Sequence, residues 1–362
     1  MRRFTTAIIL FSLCGLLPAN AIHADASEDF HHLLDEHWAT AEKEQVFFRT
    51  DADAFRLNGK LPEFTPEARA RRQAYNDEIL RRLEKIDEDS LEGQDRISFK
   101  LFLYERESEK EFYDFYSHRF PVRSSTGYHV YFAHAPGNMA FNTVEDYQKY
   151  LVSLADFPRY NRENMGLMRE GIETGYTQYC KSMEGYESTI SEFIVDDVSR
   201  SVFYAPFLEF PATVPESDRK ALAADGEKLI REKVIPAYRE LNDFYTVEYA
   251  PACRSEVGFT RLEGGKEYYD YLIRFFTTTD MSPREIHDLG LSETRRIRSE
   301  MEAVIASTGF EGSFQDFLEF LRTDPQFYAS DPQDLLEKVA FITKKMDGLM
   351  PRYFGTLARN TY

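Results

Sequence analysis

Positive charge is scarce in this chain: its 362 residues carry 44 Lys and Arg against 62 Asp and Glu, a formal charge of −18. Nucleic acid and anionic membrane surfaces reward clustered Lys and Arg, so both are disfavoured as partners. Long apolar runs are missing too. The longest, Ala7 to Leu17, falls short of the roughly 20 residues that span a bilayer, and no integral membrane segment is expected. Cysteine is nearly absent, with three in all, and no signal in the sequence puts an activating histidine beside Cys180 or Cys253. A nucleophile elbow is excluded because Ser182 and Ser313 lack the flanking glycines. Gly264-Gly265 has neither P-loop nor dinucleotide spacing and reads as a tight turn before a helix. Finally, no two of the eight histidines stand four apart, the spacing that shares a helix face and suits a helix-borne zinc site. No metal site and no cofactor are predicted within this chain, and no catalytic residue is assigned.

What is present begins with an export signal. Arg2-Arg3, the apolar run, Pro18 and small residues up to Ala24 make residues 1–24 a secretory signal peptide. Cleavage is expected before Ile22 or Asp25. Leu13 precedes Cys14, where a lipid-modified signal would carry a small residue, so ordinary cleavage is favoured. Loss of Arg2 and Arg3 with this segment takes the formal charge from −18 to −20. The exported chain, periplasmic or secreted, keeps Cys180 and Cys253. In an oxidising compartment these either form one disulfide, contributing about 4 kcal/mol across so long a loop, or remain as two buried thiols. The sequence leaves both open.

Residues 25–362 read as one mainly α multi-helix lobe with a few short strands or extended loops. Phe30, Leu33, Leu34 and Trp38 are turned inward on a first helix, whose His31, His32 and Asp35 fit a solvated face better than a metal site. Thr65-Pro66 starts a helix running to about Glu88. Gln94 to Tyr116 is another, with Ile97, Leu101, Tyr104 and Ser108 on one side. Thr143 caps a helix that Pro158 breaks or kinks, and Ser217 to Tyr245 is helical with a kink at Pro236. Ser282 and Glu285 form a capping box, and Ile286, Leu289, Ile297, Met301 and Val304 mark a buried stripe behind it. Asp331-Pro332 opens a last helix with Leu335, Val339, Ile342, Met346 and Leu349 at helical spacing. Pro121 to Phe141 and Phe203 to Pro215 lack that period and read as loops or short strands. This would set His129 and His134 on opposite faces of an extended segment, against a shared metal. His118 stands alone.

From Glu263 to Glu300 the chain carries a more specific string: Gly264-Gly265 ahead of Tyr268-Tyr269, the run Thr277-Thr278-Thr279, and Ser282-Pro283-Arg284-Glu285-Ile286-His287 followed by Leu289-Gly290-Leu291. Weaker matches include Glu145-Asp146-Tyr147, Met168-Arg169-Glu170-Gly171, Gly185-Tyr186-Glu187 and Pro251-Ala252-Cys253-Arg254. In these features the chain resembles the bacterial domain of unknown function 885 family, helical zinc-peptidase-like proteins of the gluzincin type. The resemblance implies hydrolysis of peptides or similar amides by complete members, with zinc held by an H-E-x-x-P-G-H element on a later helix. That element does not occur in the 362 residues. The expectation is therefore an incomplete N-terminal helical lobe of a larger fold, inactive alone, whose partners are a missing C-terminal lobe and a peptide substrate. Tyr268 and Tyr269, beside the main motif, are the candidate substrate-binding residues. The alternative is a non-catalytic periplasmic binding module with an aromatic-lined surface.

Intact mass of exported material should correspond to a chain starting at Ile22 or Asp25. A mass retaining Met1, or carrying a lipid on Cys14, overturns the assignment.

Overall fold

The computed structural model of the chain describes residues 20–44, 50–51, 54–55 and 59–359. Most of the signal segment, with Cys14, lies outside the described residues, as do Asn360 to Tyr362. The fold is mainly helical and divides into two compact units, Met1–Phe276 and Thr277–Tyr362. The division falls in the threonine run, where Thr278 takes a left-handed φ of 53° directly after a helix. Among the described residues no helix is long and apolar enough to cross a membrane.

The first unit opens with α1 (Asn20–Glu44), a hairpin of β1 (Thr50–Asp51) and β2 (Ala54–Phe55), α2 (Pro66–Leu83) and α3 (Gly93–Phe112). Thr65 caps α2 by accepting a hydrogen bond from the Ala68 amide at 3.2 Å, with Pro66 at the first helical position, where its missing N–H costs nothing. A cluster of Phe30, Leu33, Ile79, Leu83, Leu91, Phe99 and Phe102 holds α1, α2 and α3 together. Two expectations need correction here. Trp38 is exposed, and the buried side of α3 is the Phe99, Phe102 and Ser108 side, leaving Ile97 and Leu101 in solvent. The aromatic rings fill the α1–α2 groove more completely than the aliphatic stripe would.

A second hairpin, β3 (Val122–Arg123) with β4 (Thr126–Gly127), leads into α4 (Tyr128–His134). The segment expected to be loop or strand is thus partly helical. It turns His129 fully into the core and leaves His134 exposed. Pairing of Phe132 with Phe157, stacked at 4.2 Å, outweighs the weak helical period.

The long helix α5 (Val144–Thr174) runs through Pro158 without ending. Its N-terminus carries a reciprocal capping box of Thr143 and Asp146, and Gly175 ends it at a left-handed φ of 77°, the residue least strained there. After α6 (Ser188–Ser191), α7 (Glu216–Leu229) and α8 (Ile235–Phe244) make one continuous helical stretch through the π-helical turn Ile230–Val234. A second π turn, Tyr245–Tyr249, follows. Each π turn directly precedes a proline-containing segment, Pro236 and Pro251 respectively. A proline cannot donate and crowds the carbonyl one turn back, and a wider turn relieves that crowding. This is why Pro236 is absorbed instead of terminating the helix. α5 packs on α7, α8 and the first π turn, burying Leu154, Phe157, Ile230, Val234, Tyr238 and Leu241. The unit closes with α9 (Gly265–Thr277). Cys180 and Cys253 are joined by a disulfide, Cα to Cα 5.0 Å, that ties the segment after α5 to the one after the second π turn. The Cys180 amide donates to the Arg254 carbonyl at 3.0 Å beside it.

The second unit holds α10 (Pro283–Ser307), α11 (Phe314–Thr323) and α12 (Pro332–Leu349). Ser282 and Glu285 cap α10 reciprocally, Ser313 and Asp316 do the same for α11, and Asp331 caps α12. The stripes expected to be buried are not. Leu289, Ile297, Met301 and Val304 on α10, and Leu335, Val339, Ile342 and Met346 on α12, are all at least 41% exposed, and Ile305 is the buried hydrophobe among the described residues of this unit. The amphipathic period is real, but these helices have little chain of their own unit to pack against.

Breaking the disulfide by Cys180→Ser should lower stability by about 4 kcal/mol on the chain-entropy estimate, read as a lower thermal midpoint than the oxidised protein. Equal midpoints for the variant and the oxidised protein would show that the cross-link restrains nothing.

Candidate functional site

Four pieces of the first unit surround a cleft of about 400 Å³. The capped start of α2 contributes Thr65, Pro66, Arg69 and Arg72, and Phe64 precedes it. The end of α3 contributes Phe112 and Tyr113, with Phe115, Ser117 and His118 in the following turn. Leu167 and Glu170 come from α5. The lining is mostly aromatic and aliphatic, with Arg69, His118 and Glu170 close together within it, a form common to small-ligand sites.

These polar groups are ordered by charge. Glu170 accepts from Arg119 Nε at 2.8 Å and Nη2 at 2.6 Å. The Arg119 guanidinium also lies over the Tyr116 ring at 4.0 Å and the Tyr176 ring at 5.1 Å, so this cation is held by a carboxylate and two π faces. Arg69 donates through Nη2 to the Tyr113 carbonyl at 2.8 Å. Its Nη1 lies 2.6 Å from His118 Nδ1 and 2.7 Å from Nε2. A neutral imidazole has one lone pair, so one of these two contacts sets N–H against N–H. His118 Nε2 is 3.8 Å from Glu170 Oε1, beyond hydrogen-bond reach. Burial, then the neighbouring Arg69, push the His118 imidazole down to about 4, against the opposing pull of Glu170. It is neutral at pH 7. Burial also lowers the Arg69 guanidinium below its ordinary value, though Glu170 opposes the shift. The Tyr113 phenol is raised to about 12, first by burial and then by Glu109, whose Oε1 accepts its hydroxyl at 3.1 Å.

A smaller pocket of about 100 Å³ shares Phe115 and Ser117 with the cleft. Tyr268 lines it, packed against Phe115 at 5.0 Å and Phe259 at 5.1 Å. Tyr269 lines neither pocket and is exposed. The two candidate tyrosines therefore do not act as a pair: adjacent residues on a helix point about 100° apart. The Gly264-Gly265 turn sits at the same pocket, and its composition has a steric cause. Gly264 has φ +66°, and a Cβ on Gly265 would lie 1.9 Å from the Phe259 carbonyl oxygen.

His31 hydrogen-bonds Asp95 Oδ1 at 2.9 Å, not Asp35. His129 is buried with Nε2 3.3 Å from Thr189 Oγ1, and burial lowers it to about 3. Among the described residues no group of three or more His, Cys, Asp and Glu is placed to hold a metal ion. His118, isolated in the sequence, meets Arg69 and Glu170 only through the packing of α2 on α3 and of the Ser117–Arg119 turn on α5. Sequence reasoning missed this cluster. Its one legible trace is Glu170-Gly171 within a family-like string, where a Cβ on Gly171 would lie 2.7 Å from the Tyr176 carbonyl oxygen.

A family model described as bacterial protein of unknown function (DUF885) matches residues 47–362. No curated protein matches. Among solved structures, that of "the putative lipoprotein from Colwellia psychrerythraea" is similar at a TM-score of 0.71 and 16% identity, over 94% of this chain and 61% of that one. At that identity the likeness is one of fold. This chain spans about three fifths of the length of that structure.

The His118 imidazole should titrate by NMR with a midpoint near 4. Because its folded pKa lies below the unfolded value of about 6.5, it contributes stability at neutral pH that is lost as pH falls from about 6.5 through 4. A midpoint at or above 6.5 would contradict the buried, Arg69-facing environment.

Proposed function

This chain belongs to the DUF885 family of bacterial proteins of unknown function, and from that membership we propose that it is the helical portion of an exported, zinc-peptidase-like hydrolase acting on peptides or similar amides. The observation that carries this reading is the apolar coat of the second unit. Its helices expose Leu289, Ile297, Met301 and Val304 on α10 and Leu335, Val339, Ile342 and Met346 on α12. Contiguous apolar faces of this kind mark surfaces that are covered in the working protein. A C-terminal lobe of the same fold is the covering the proposal supplies, and the greater length of the Colwellia structure leaves room for one.

Among the described residues no group of three or more His, Cys, Asp and Glu is placed to hold a metal ion, so the proposal does not put the zinc on them. On this reading the metal belongs to residues outside this chain, and the residues here bind and position. Tyr268, at the small pocket, is the better placed of the two tyrosines to touch a peptide. The Cys180–Cys253 bond supports the proposed periplasmic or secreted location, since such bonds persist in oxidising compartments. The second reading, a non-catalytic binding module, is favoured by the aromatic cluster of Phe112, Phe115, Phe259 and Tyr268.

Purified residues 25–362 should contain no stoichiometric zinc by elemental analysis, cleave no peptide library, and self-associate with rising concentration in sedimentation velocity. Stoichiometric zinc with hydrolysis abolished by a chelator would overturn the assignment of the metal to another lobe. A monomer at high concentration would favour the binding module.

A further inference from the structure

The cleft between α2, the end of α3 and α5 has a charge pattern that neither reading above uses. In a chain of net charge −18, its polar lining is cationic. The one carboxylate there, Glu170, is already engaged by two N–H groups of Arg119. Among the described residues no carboxylate hydrogen-bonds Arg69. Its partners are a peptide carbonyl and a neutral imidazole that can accept through only one nitrogen. A partly buried guanidinium is most stable against a planar anion that takes two parallel N–H bonds. Here it meets weaker acceptors in a largely apolar hollow.

We propose that this cleft is a binding site for a small carboxylate with an apolar or aromatic body, the carboxylate on Arg69 and the body against Phe64, Phe112, Phe115 and Leu167. The arriving carboxylate takes the place of His118 as the acceptor for Nη1. The hollow, about 400 Å³, is within the range of small-molecule sites, where apolar walls supply affinity and a few polar groups set orientation. An amine is disfavoured because two guanidiniums, Arg69 and Arg72, line the cleft against the single carboxylate of Glu170, whose Oε1 Arg119 already engages. The site needs neither zinc nor a second lobe, so its failure and that of the hydrolase reading are separable.

The test is calorimetric titration of residues 25–362 with N-acetyl-L-phenylalanine, its primary amide, and phenethylamine. The acid should bind, and the amide should bind at least about tenfold more weakly, the scale of a lost charge-assisted pair. Arg69→Met should abolish the preference for the acid, and Leu167→Trp, which fills the hollow while leaving the charges, should abolish binding of the acid altogether. Arg162→Met, whose partner Glu240 lies elsewhere on the surface, should change nothing. If Arg69→Met does not fold, as judged by its thermal transition, the acid-to-amide ratio of the unmodified protein and the Leu167→Trp variant decide the matter. Equal binding of acid and amide, no binding of the acid, tighter binding of the amine, or unchanged acid binding in a folded Arg69→Met or Leu167→Trp variant would each overturn the proposal.

Discussion

A tyrosine hydroxyl cannot be buried without an acceptor, and the first unit meets that demand with backbone carbonyls of segments outside the long helices. Tyr150 donates to the Phe203 carbonyl at 2.9 Å and Tyr147 to that of Pro206 at 3.1 Å. Tyr238 reaches His129 at 2.7 Å and Tyr186 reaches Thr126 at 2.8 Å. The two constraints solve each other, because an irregular segment leaves carbonyls without helical donors and a core tyrosine brings a donor that water no longer serves. Ring burial provides the driving force, and the hydroxyl fixes which stretch of chain lies over which helix. Much of the ordering of residues 121–141 and 203–215 follows from four phenols.

The same logic extends to the polar groups of α5. Asn161 is fully buried, accepts from Tyr128 at 2.7 Å and donates to the Ala237 carbonyl at 3.0 Å. That second bond couples α5 to the first turn of α8, just after the π turn and beside Pro236.

Helix starts were legible in the sequence because capping is local: Thr65, Thr143, Ser282 and Asp331 each cap a helix as their spacing to the next donors requires. What periodicity could not convey is which apolar face is covered. Ile97 and Leu101, four apart, share a helix face as readily as Phe99 and Phe102, three apart, and only the groove offered by α1 and α2 chooses between them. α4 was hidden because its seven residues are too few to show a period. Pro158 does not end its helix, and at Pro236 the stretch continues through a π turn. The site was least legible of all. Arg69, His118 and Glu170 are drawn from three separate elements, and no one-dimensional spacing relates them. Of the tyrosine pair, Tyr268 lines the small pocket and Tyr269 does not, a distinction set by helical phase after the turn at Gly264-Gly265 fixes where α9 begins.

The glycines at 171 and 265 bear on how such a chain can diverge. Around them lie rings that can exchange for one another if total volume is kept, since a core repacks. At these two positions the obstacle is a peptide carbonyl, 2.7 Å and 1.9 Å from where a methyl would sit, and a carbonyl has no alternative rotamer. Adjustment there means moving the main chain, and with it Tyr176 or Phe259 and the rings packed on them. Two related chains could therefore differ at most of the aromatic positions nearby and still superimpose, while one added carbon at either glycine would shift a helix.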